Sequence, residues 1–134
     1  MRRAVGFTGT QRGMTDAQQS QIRSWLEGLD VTELHHGDCV GADAQADAIA
    51  RELGMNIVIH PPVSEKKRAF CWQEGDIYLP SLPYLERNHD IVDSCPILLA
   101  APLGDEQVRS GTWATIRYAK KRGKHIYITR RDHA

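Results

Sequence analysis

The first group of residues that could bind a ligand lies directly after a predicted strand. Residues 9–13 contain Gly9 and Thr10, and Arg12 stands before a second glycine. Glycines let the backbone approach a ligand closely, and an arginine can hold a phosphate or carboxylate with two parallel hydrogen bonds. The segment therefore predicts an anion-binding loop, although a glycine-rich turn without a ligand would have the same composition.

A second candidate for phosphate binding is the start of the last predicted helix. Ser110, Gly111 and Thr112 bring two hydroxyl groups to the free backbone amides and the positive dipole end of that helix. Ser110 alone would also serve as an ordinary helix cap. The GxxxxGK[ST] motif does not occur in the chain, so nucleoside triphosphate hydrolysis of that kind is not supported.

A third candidate, residues 37–43, leads from the second predicted strand into a helix. Gly37 and Gly41 would shape a tight turn, and Asp38 or Asp43 could accept a hydrogen bond from a ribose hydroxyl. Aspartate often only caps a helix, and this is the interpretation that we favour for Asp43. The segment is not a GxGxxG motif and does not follow the first strand, so a standard NAD site is not expected.

Polar residues also cluster on the third predicted helix. Arg87, Asn88 and Asp90 fall within about one helical turn and could face a ligand together. The alternative is the solvent-exposed face of an amphipathic helix, which the spacing alone favours. The sequence does not decide between the two.

The histidines and cysteines form no recognisable metal or nucleophile motif. His35 and His36 are adjacent, so on a strand they point to opposite faces and cannot bind one metal together. The three cysteines are widely spaced and include no CxxC pair, which indicates a reduced, cytoplasmic protein. We therefore predict neither a metal site nor a cofactor.

Short apolar runs alternate with amphipathic stretches along the chain, a pattern typical of a parallel sheet covered by helices. Residues 63–80 lack periodicity and are predicted to form a functional loop, in which Trp72 could cover a base. The predicted strands are residues 4–8, 31–35, 56–60, 96–101 and 124–129, and the predicted helices start at Thr15, Ala42, Ser81 or Pro83, and Ser110.

Length and charge narrow the classes of function. A chain of 134 residues fits a single domain over residues 1–134. Seventeen basic residues cancel seventeen acidic ones, which argues against broad contact with duplex DNA. No apolar run approaches the ~20 residues needed to span a bilayer. We expect neither a nucleic acid nor a membrane as partner.

Taken in order, four segments resemble the SLOG superfamily of Rossmann-like nucleotide-binding domains. They are residues 6–12, 37–43, 84–88 and 109–112, and together they extend the resemblance over nearly the whole chain. The second and fourth look like segments of DNA-processing protein A, and the third looks like the arginine motif of the LOG phosphoribohydrolases. The resemblance implies an α/β, Rossmann-like three-layer sandwich with a mainly parallel five-stranded sheet and, because both relatives pair, a homodimer.

The chain departs from LOG at the phosphate loop. That family has PGGxGTxxE there, whereas residues 108–115 contain no PGG, and Thr115 stands in the place of the catalytic glutamate. Arg87 matches the catalytic arginine, but an arginine cannot act as a general base at neutral pH. The carboxylates that could replace the glutamate are Asp38, Asp90 and Glu106.

These features predict a sensor or capture protein for a nucleotide rather than an enzyme. The ligand would be a nucleoside monophosphate or an ADP-ribose-type molecule. The alternatives are an N-glycoside hydrolase resembling the phosphoribohydrolases, with Arg87, Asp38 or Asp90 in catalysis, and a single-stranded nucleic-acid or protein-interaction module. The predicted ligand-binding residues are Gly9, Thr10, Arg12, Gly37, Asp38, Arg87, Asn88, Ser110, Gly111 and Thr112.

Overall fold

The computed structural model describes residues 3–131 as a six-stranded, wholly parallel sheet with four helices. The strands lie in the order β4-β3-β2-β1-β5-β6. In chain order, the elements are β1 (Ala4–Gly9), α1 (Asp16–Gly28), β2 (Glu33–His36), α2 (Ala42–Glu52), β3 (Asn56–Ile59), β4 (Ile77–Tyr78), α3 (Tyr84–Ser94), β5 (Ile97–Ala101), α4 (Gly111–Lys121) and β6 (His125–Ile128).

The α/β class and the three layers are as predicted, but the sheet has six strands rather than five. The additional strand is β4, which pairs with the outer edge of β3 and is only two residues long. Both of its residues are exposed, so they show none of the alternating burial by which a strand is recognised in a sequence. It lies within residues 63–80, which were predicted to be a loop throughout.

Each face of the sheet is covered by two helices. Val5 and Phe7 of β1 belong to the core cluster that includes α1 and α2 residues, such as Ile22 and Ala46. Leu98 of β5 belongs to a cluster with residues of α3 and α4 on the opposite face. Because neighbouring residues of a strand point to opposite faces, the two layers are filled by alternate positions of the central strands.

A capping box begins α1 at Thr15, the predicted start of this helix. The Thr15 hydroxyl accepts a hydrogen bond from the Gln18 amide at 3.1 Å, and the Gln18 side chain accepts one from the Thr15 amide at 3.0 Å. Ile22 and Leu26, four residues apart, are both buried against the sheet. The helix is therefore fixed both at its beginning and along one apolar face.

The loops after β1 and β2 come into close backbone contact at Gly41. This glycine has a φ of +86°, and a Cβ atom there would lie 2.2 Å from the Gln11 carbonyl oxygen. The next residue, Ala42, donates its amide hydrogen to the Thr10 carbonyl oxygen at 3.0 Å. The start of α2 is thereby held beside the end of β1.

No helix within residues 3–131 has the length and apolarity needed to cross a membrane.

Candidate functional site

A cavity of about 650 Å³ opens beyond the carboxyl ends of β1 and β5. Loops after four strands contribute to its wall, together with the first halves of α3 and α4. Ligands of open α/β sheets bind at this end of the strands. The predicted site residues that line the cavity are Gly9, Thr10, Arg87, Asn88, Ser110, Gly111 and Thr112.

Four other predicted site residues lie outside the lining of this cavity. Arg12 is exposed to solvent, Gly37 and Asp38 are buried below the turn after β2, and Asp90 lies on α3. The structure therefore brings together the predicted segments after β1, on α3 and at the start of α4. Gly37 and Asp38, the first two residues of the segment 37–43, do not line the cavity.

Arg87 is the buried cation of the cavity. Only 5% of its surface is exposed. Its Nη1 donates hydrogen bonds to the Gly37 and His60 carbonyl oxygens, and its Nε donates to Asn88 Oδ1 at 2.7 Å. All of these acceptors are neutral, and no carboxylate of residues 3–131 forms an ion pair with this guanidinium. Its Nη2 makes none of these hydrogen bonds.

Gly37 lies in close contact with Arg87. A Cβ atom at this position would lie 2.4 Å from Arg87 Nη1, so any side chain would collide with the guanidinium. Gly37 instead offers its carbonyl oxygen to Arg87. Its place in the site is thus to make room for the arginine.

The structure places Asp38 in an internal ion pair. Its side chain is fully buried, and Oδ2 contacts Arg68 Nε and Nη2, each at 2.9 Å. Oδ1 accepts a hydrogen bond from the Cys71 amide at 2.8 Å. The predicted contact of Asp38 with a ribose hydroxyl is not what this geometry favours, because both of its oxygens are already bonded.

Asp43 is the aspartate of this segment that lines the cavity. Its Oδ2 accepts hydrogen bonds from the Gly37 amide at 3.1 Å and the Cys39 amide at 3.2 Å. Burial raises the pKa of the Asp43 carboxyl above its usual range, while the charges of His36 and Arg87 act in the opposite direction. Our preferred interpretation of Asp43, a helix cap, missed its place in the cavity.

Two lysines were also missed by the sequence analysis. Lys66 and Lys67 line the cavity from the loop after β3, and both are exposed. The loop is fixed to the turn after β2, since the Val40 amide donates to the Lys67 carbonyl oxygen at 2.9 Å. Neither ammonium group is paired with a carboxylate of the described chain. The sequence signal was a run of charges within a segment that had no periodicity.

The start of α4 combines a cap with free amides. Ser110 Oγ accepts a hydrogen bond from the Trp113 amide at 3.2 Å, as its interpretation as a cap requires. The amides of Gly111 and Thr112 are the first two of the helix, where no earlier helical carbonyl can accept them. Capping and anion binding are therefore compatible at this helix end.

Two other residues at the site behave differently from a catalytic group. The Thr115 hydroxyl donates to the Gly111 carbonyl oxygen at 2.9 Å and is buried within α4. Cys39 lines the cavity, but burial and the charge of Asp43 raise the pKa of its thiol, which disfavours the nucleophilic thiolate.

Trp113 lines the cavity, whereas Trp72, which was predicted to cover a base, does not. Trp72 is half exposed and lies outside the lining of the cavity. Trp113 is buried and donates from Nε1 to the Gly104 carbonyl oxygen at 3.0 Å. Because Trp113 also lines the cavity, it is the tryptophan that could contact a ligand there.

Asp90 lies beside a buried histidine instead of in the cavity. Its Oδ2 is 3.4 Å from His60 Nδ1, which is the one sealed side-chain polar atom of residues 3–131 without a hydrogen bond. His60 Nε2 lies 2.8 Å from His35 Nδ1. Burial, together with the charges of His35, His36 and Arg87, lowers the pKa of His60 to about 3.

This pKa predicts a loss of stability in mild acid. Because the folded pKa of about 3 lies below the unfolded value of 6.5, His60 favours folding above pH 6.5 and less so as the pH falls toward 3. Between pH 7 and pH 5 we expect about 2 kcal/mol of the free energy of unfolding to be lost through this group. Urea denaturation of the wild type and of His60→Gln measures the difference. An equal loss in both proteins would contradict the assignment.

One cluster within the described part of the chain has the side-chain types of a metal site. Ligand atoms of His36, Asp47 and Cys71 lie within 4.8 Å of one another. However, His36 Nδ1 accepts from the Asp38 amide, so Nε2 carries the proton and donates to Asp47 at 2.8 Å. Arg51 also binds Asp47, and burial raises the pKa of Cys71 to about 12. These hydrogen bonds explain why the three side chains lie close together without a metal ion.

Comparison with protein-family models found no match, and comparison with curated proteins found none either. Solved structures do match. The molybdenum cofactor binding protein of Rippkaea orientalis is 19% identical, with a TM-score of 0.75 over 98% of this chain and 78% of its own. The Moco carrier protein of Chlamydomonas reinhardtii is 20% identical, with a TM-score of 0.68 over 96% and 76%.

A third similar structure is that of DNA processing protein A from Streptococcus pneumoniae. It is 18% identical, with a TM-score of 0.68 over 95% of this chain, which spans only half of that protein. At these identities the likeness concerns the fold, and the site must be interpreted from the residues of this chain.

Proposed function

We propose that this chain, which has the Rossmann-like fold of the SLOG superfamily, binds a phosphate-bearing small molecule in the cavity beyond β1 and β5. The ligand is a nucleotide or a nucleotide derivative. The ligand is captured rather than turned over. The observation that carries this proposal is Arg87, a buried cation that lines the cavity and forms no ion pair with a carboxylate of residues 3–131. We also propose that the chain forms a single cytoplasmic domain and pairs with a second copy of itself.

A buried guanidinium surrounded only by neutral acceptors is costly. Removing a charge from water costs several kcal/mol unless an opposite charge or strong hydrogen bonds compensate it. Two carbonyl oxygens and the Asn88 side chain provide hydrogen bonds but no opposite charge. Asp43 lines the same cavity but forms no ion pair with Arg87, so an anion that enters the cavity can pair directly with the guanidinium.

Other groups of the cavity favour the same ligand chemistry. Lys66 and Lys67 add two positive charges near the opening, and the first amides of α4 add two donors at the positive end of a helix. Thr10 and Thr112, which carry hydroxyl groups, also line the cavity. Phosphate, with its several acceptor oxygens, uses all these groups at once.

The size of the cavity and the similar structures agree with capture of a small molecule. About 650 Å³ lies within the range of ~300–1,000 Å³ usual for small-molecule sites. Two of the similar structures are named as a cofactor-binding protein and a cofactor carrier, so the fold can hold a small molecule without a reaction being named for it.

Thermal denaturation in the presence of AMP, ADP-ribose, cyclic ADP-ribose or NAD tests the proposal, with chromatography of every ligand that shifts the transition. A ligand at a hundredfold its Kd stabilises the folded state by about 2.7 kcal/mol. A shift with intact ligand supports capture. Release of a free base would show hydrolysis instead, and the absence of a shift with any nucleotide would contradict the proposal.

Substitution of Gly111 separates stability from binding. A methyl group at this position would meet no other atom within 4 Å, so Gly111→Ala is expected to leave stability unchanged or to raise it by roughly 0.5 kcal/mol. The methyl group narrows the approach of a phosphate to the first amides of α4, and we expect the affinity for AMP to fall roughly tenfold.

Gly28→Ala, at the end of α1, is the matched control for this change. It also meets open space, and it lies outside the cavity. Calorimetric titration with AMP should give the wild-type Kd for Gly28→Ala. If Gly111→Ala also binds AMP with the wild-type Kd, the phosphate does not lie at the start of α4.

A further inference from the structure

We infer that Asp43 is the specificity-determining residue of this cavity, where it accepts a hydrogen bond from an N–H or O–H group of the ligand. The inference rests on the proposed function, because it concerns the end of the same ligand that does not carry the phosphate. It identifies the ligand class more narrowly, as an anion whose other end offers a hydrogen-bond donor.

The two oxygens of Asp43 are used unequally. Oδ2 accepts both amide hydrogen bonds, from Gly37 and Cys39. Oδ1 accepts none from the chain between residues 3 and 131. Within that range, His60 Nδ1 is the one solvent-inaccessible polar side-chain atom that lacks a hydrogen bond. Asp43 Oδ1 also lacks one, so it must be accessible to solvent. The residue is only 5% exposed and it lines the cavity, so we take its unused oxygen to face the cavity.

Asp43 and Arg87 place a buried acid and a buried base in the lining of one cavity. They influence each other electrostatically, but they form no ion pair. Each keeps one polar atom unused, Oδ1 in the aspartate and Nη2 in the arginine. A ligand that satisfies both presents an anionic group to Arg87 and a donor to Asp43. A carboxylate oxygen accepts a hydrogen bond and, when ionised, has no hydrogen to donate.

A nucleotide can offer this donor from two places, namely the hydroxyls of its ribose or the exocyclic amino group of its base. Both are the same chemistry for the aspartate. A ligand that presented only acceptors would leave Oδ1 facing another lone pair, and such a mismatch of buried polar groups gives strong discrimination.

Asp43→Asn tests the inference with little disturbance to the turn. The remaining carbonyl oxygen can still accept the Gly37 and Cys39 amides, while the new NH₂ group replaces Oδ1 and reverses its hydrogen-bonding character. The probes are inorganic pyrophosphate, AMP with 2′,3′-dideoxy-AMP, and GMP with IMP, which lacks the amino group of guanine. Glu86→Gln is the matched control, because Glu86 is an exposed acid on α3 outside the cavity.

We expect Asp43→Asn to lower the affinity for AMP or GMP by about 10- to 100-fold. The loss should vanish with the analogue that lacks the donor, dideoxy-AMP if the ribose is recognised and IMP if the base is. Pyrophosphate should bind at least as tightly as to the wild type, because a negative charge has been removed. Glu86→Gln should show no loss for any nucleotide.

Two outcomes would overturn the inference alone. In one, Asp43→Asn binds AMP and GMP as tightly as the wild type does. In the other, it loses the same affinity for AMP, dideoxy-AMP, GMP and IMP. In both cases binding of pyrophosphate by the wild type would leave the anion site intact. Failure of the wild type to bind pyrophosphate and every nucleotide would remove the proposed function, and this inference with it.

Discussion

Arg87→Gln is expected to lower the affinity for AMP by roughly 30- to 150-fold, or about 2–3 kcal/mol, the contribution of hydrogen bonds to a charged group. Glutamine keeps a donor for one of the two carbonyl oxygens that Arg87 now binds, but it carries no charge to the phosphate. Calorimetric titration gives the affinity, and urea denaturation shows that the variant is folded.

Arg23→Gln is the control for this change, since Arg23 lies on α1, pairs with Glu52 and takes no part in the cavity. It removes the same charge from the protein and should leave the Kd for AMP unchanged. Arg87→Lys should recover part of the affinity, because it restores the charge without the planar fork. Wild-type affinity in Arg87→Gln would show that the anion is bound elsewhere.

Asp38→Ala is expected to destabilise the protein by about 3 kcal/mol, because it removes the carboxylate of a largely buried ion pair and leaves the Arg68 guanidinium with only the Tyr78 hydroxyl as a side-chain hydrogen-bond partner. The Cys71 amide also loses its acceptor. The backbone adds a smaller cost, since residue 38 has a φ of +58°, which aspartate and asparagine tolerate better than alanine does. A loss of this size is a large fraction of the stability of a small domain.

Asp38→Asn is the variant that keeps this prediction measurable. It retains an acceptor for the Cys71 amide and suits the backbone, so its loss in urea denaturation should lie between those of the wild type and Asp38→Ala. Its folded fraction should bind AMP with the wild-type Kd, because Asp38 does not line the cavity. Wild-type stability combined with lost binding would restore the predicted contact between Asp38 and the ligand.

The parts of the fold that the sequence predicted are those with strong local patterns. β1, β3, β5 and β6 are largely apolar, and α1 has both a capping box and an apolar face, whereas β2 is mostly polar in sequence. β4 has neither length nor alternation, because a two-residue edge strand with both side chains exposed needs no apolar pattern. Its existence depends on pairing with β3, which is a tertiary contact.

The sequence predicted the site residues in segments where glycines and hydroxyl side chains follow a strand. It did not predict those residues whose role depends on which side chain is buried in the folded protein. Asp38 and Asp43 are five residues apart in one polar turn, and the sequence gives no sign of which carboxylate faces inward. The positive φ of residue 38 turns its side chain toward Arg68, thirty residues later in the chain. Lys66 and Lys67 reach the cavity only because their loop is bonded to the turn after β2.

The most direct test of the account is calorimetric titration of the wild type, at low ionic strength, with AMP, pyrophosphate and adenosine. If the phosphate is held by Arg87 and the start of α4, AMP and pyrophosphate compete for one site, and adenosine binds at least tenfold more weakly than AMP. Equal affinities for AMP and adenosine, with no displacement of AMP by pyrophosphate, would contradict the central claim that this cavity recognises a phosphate.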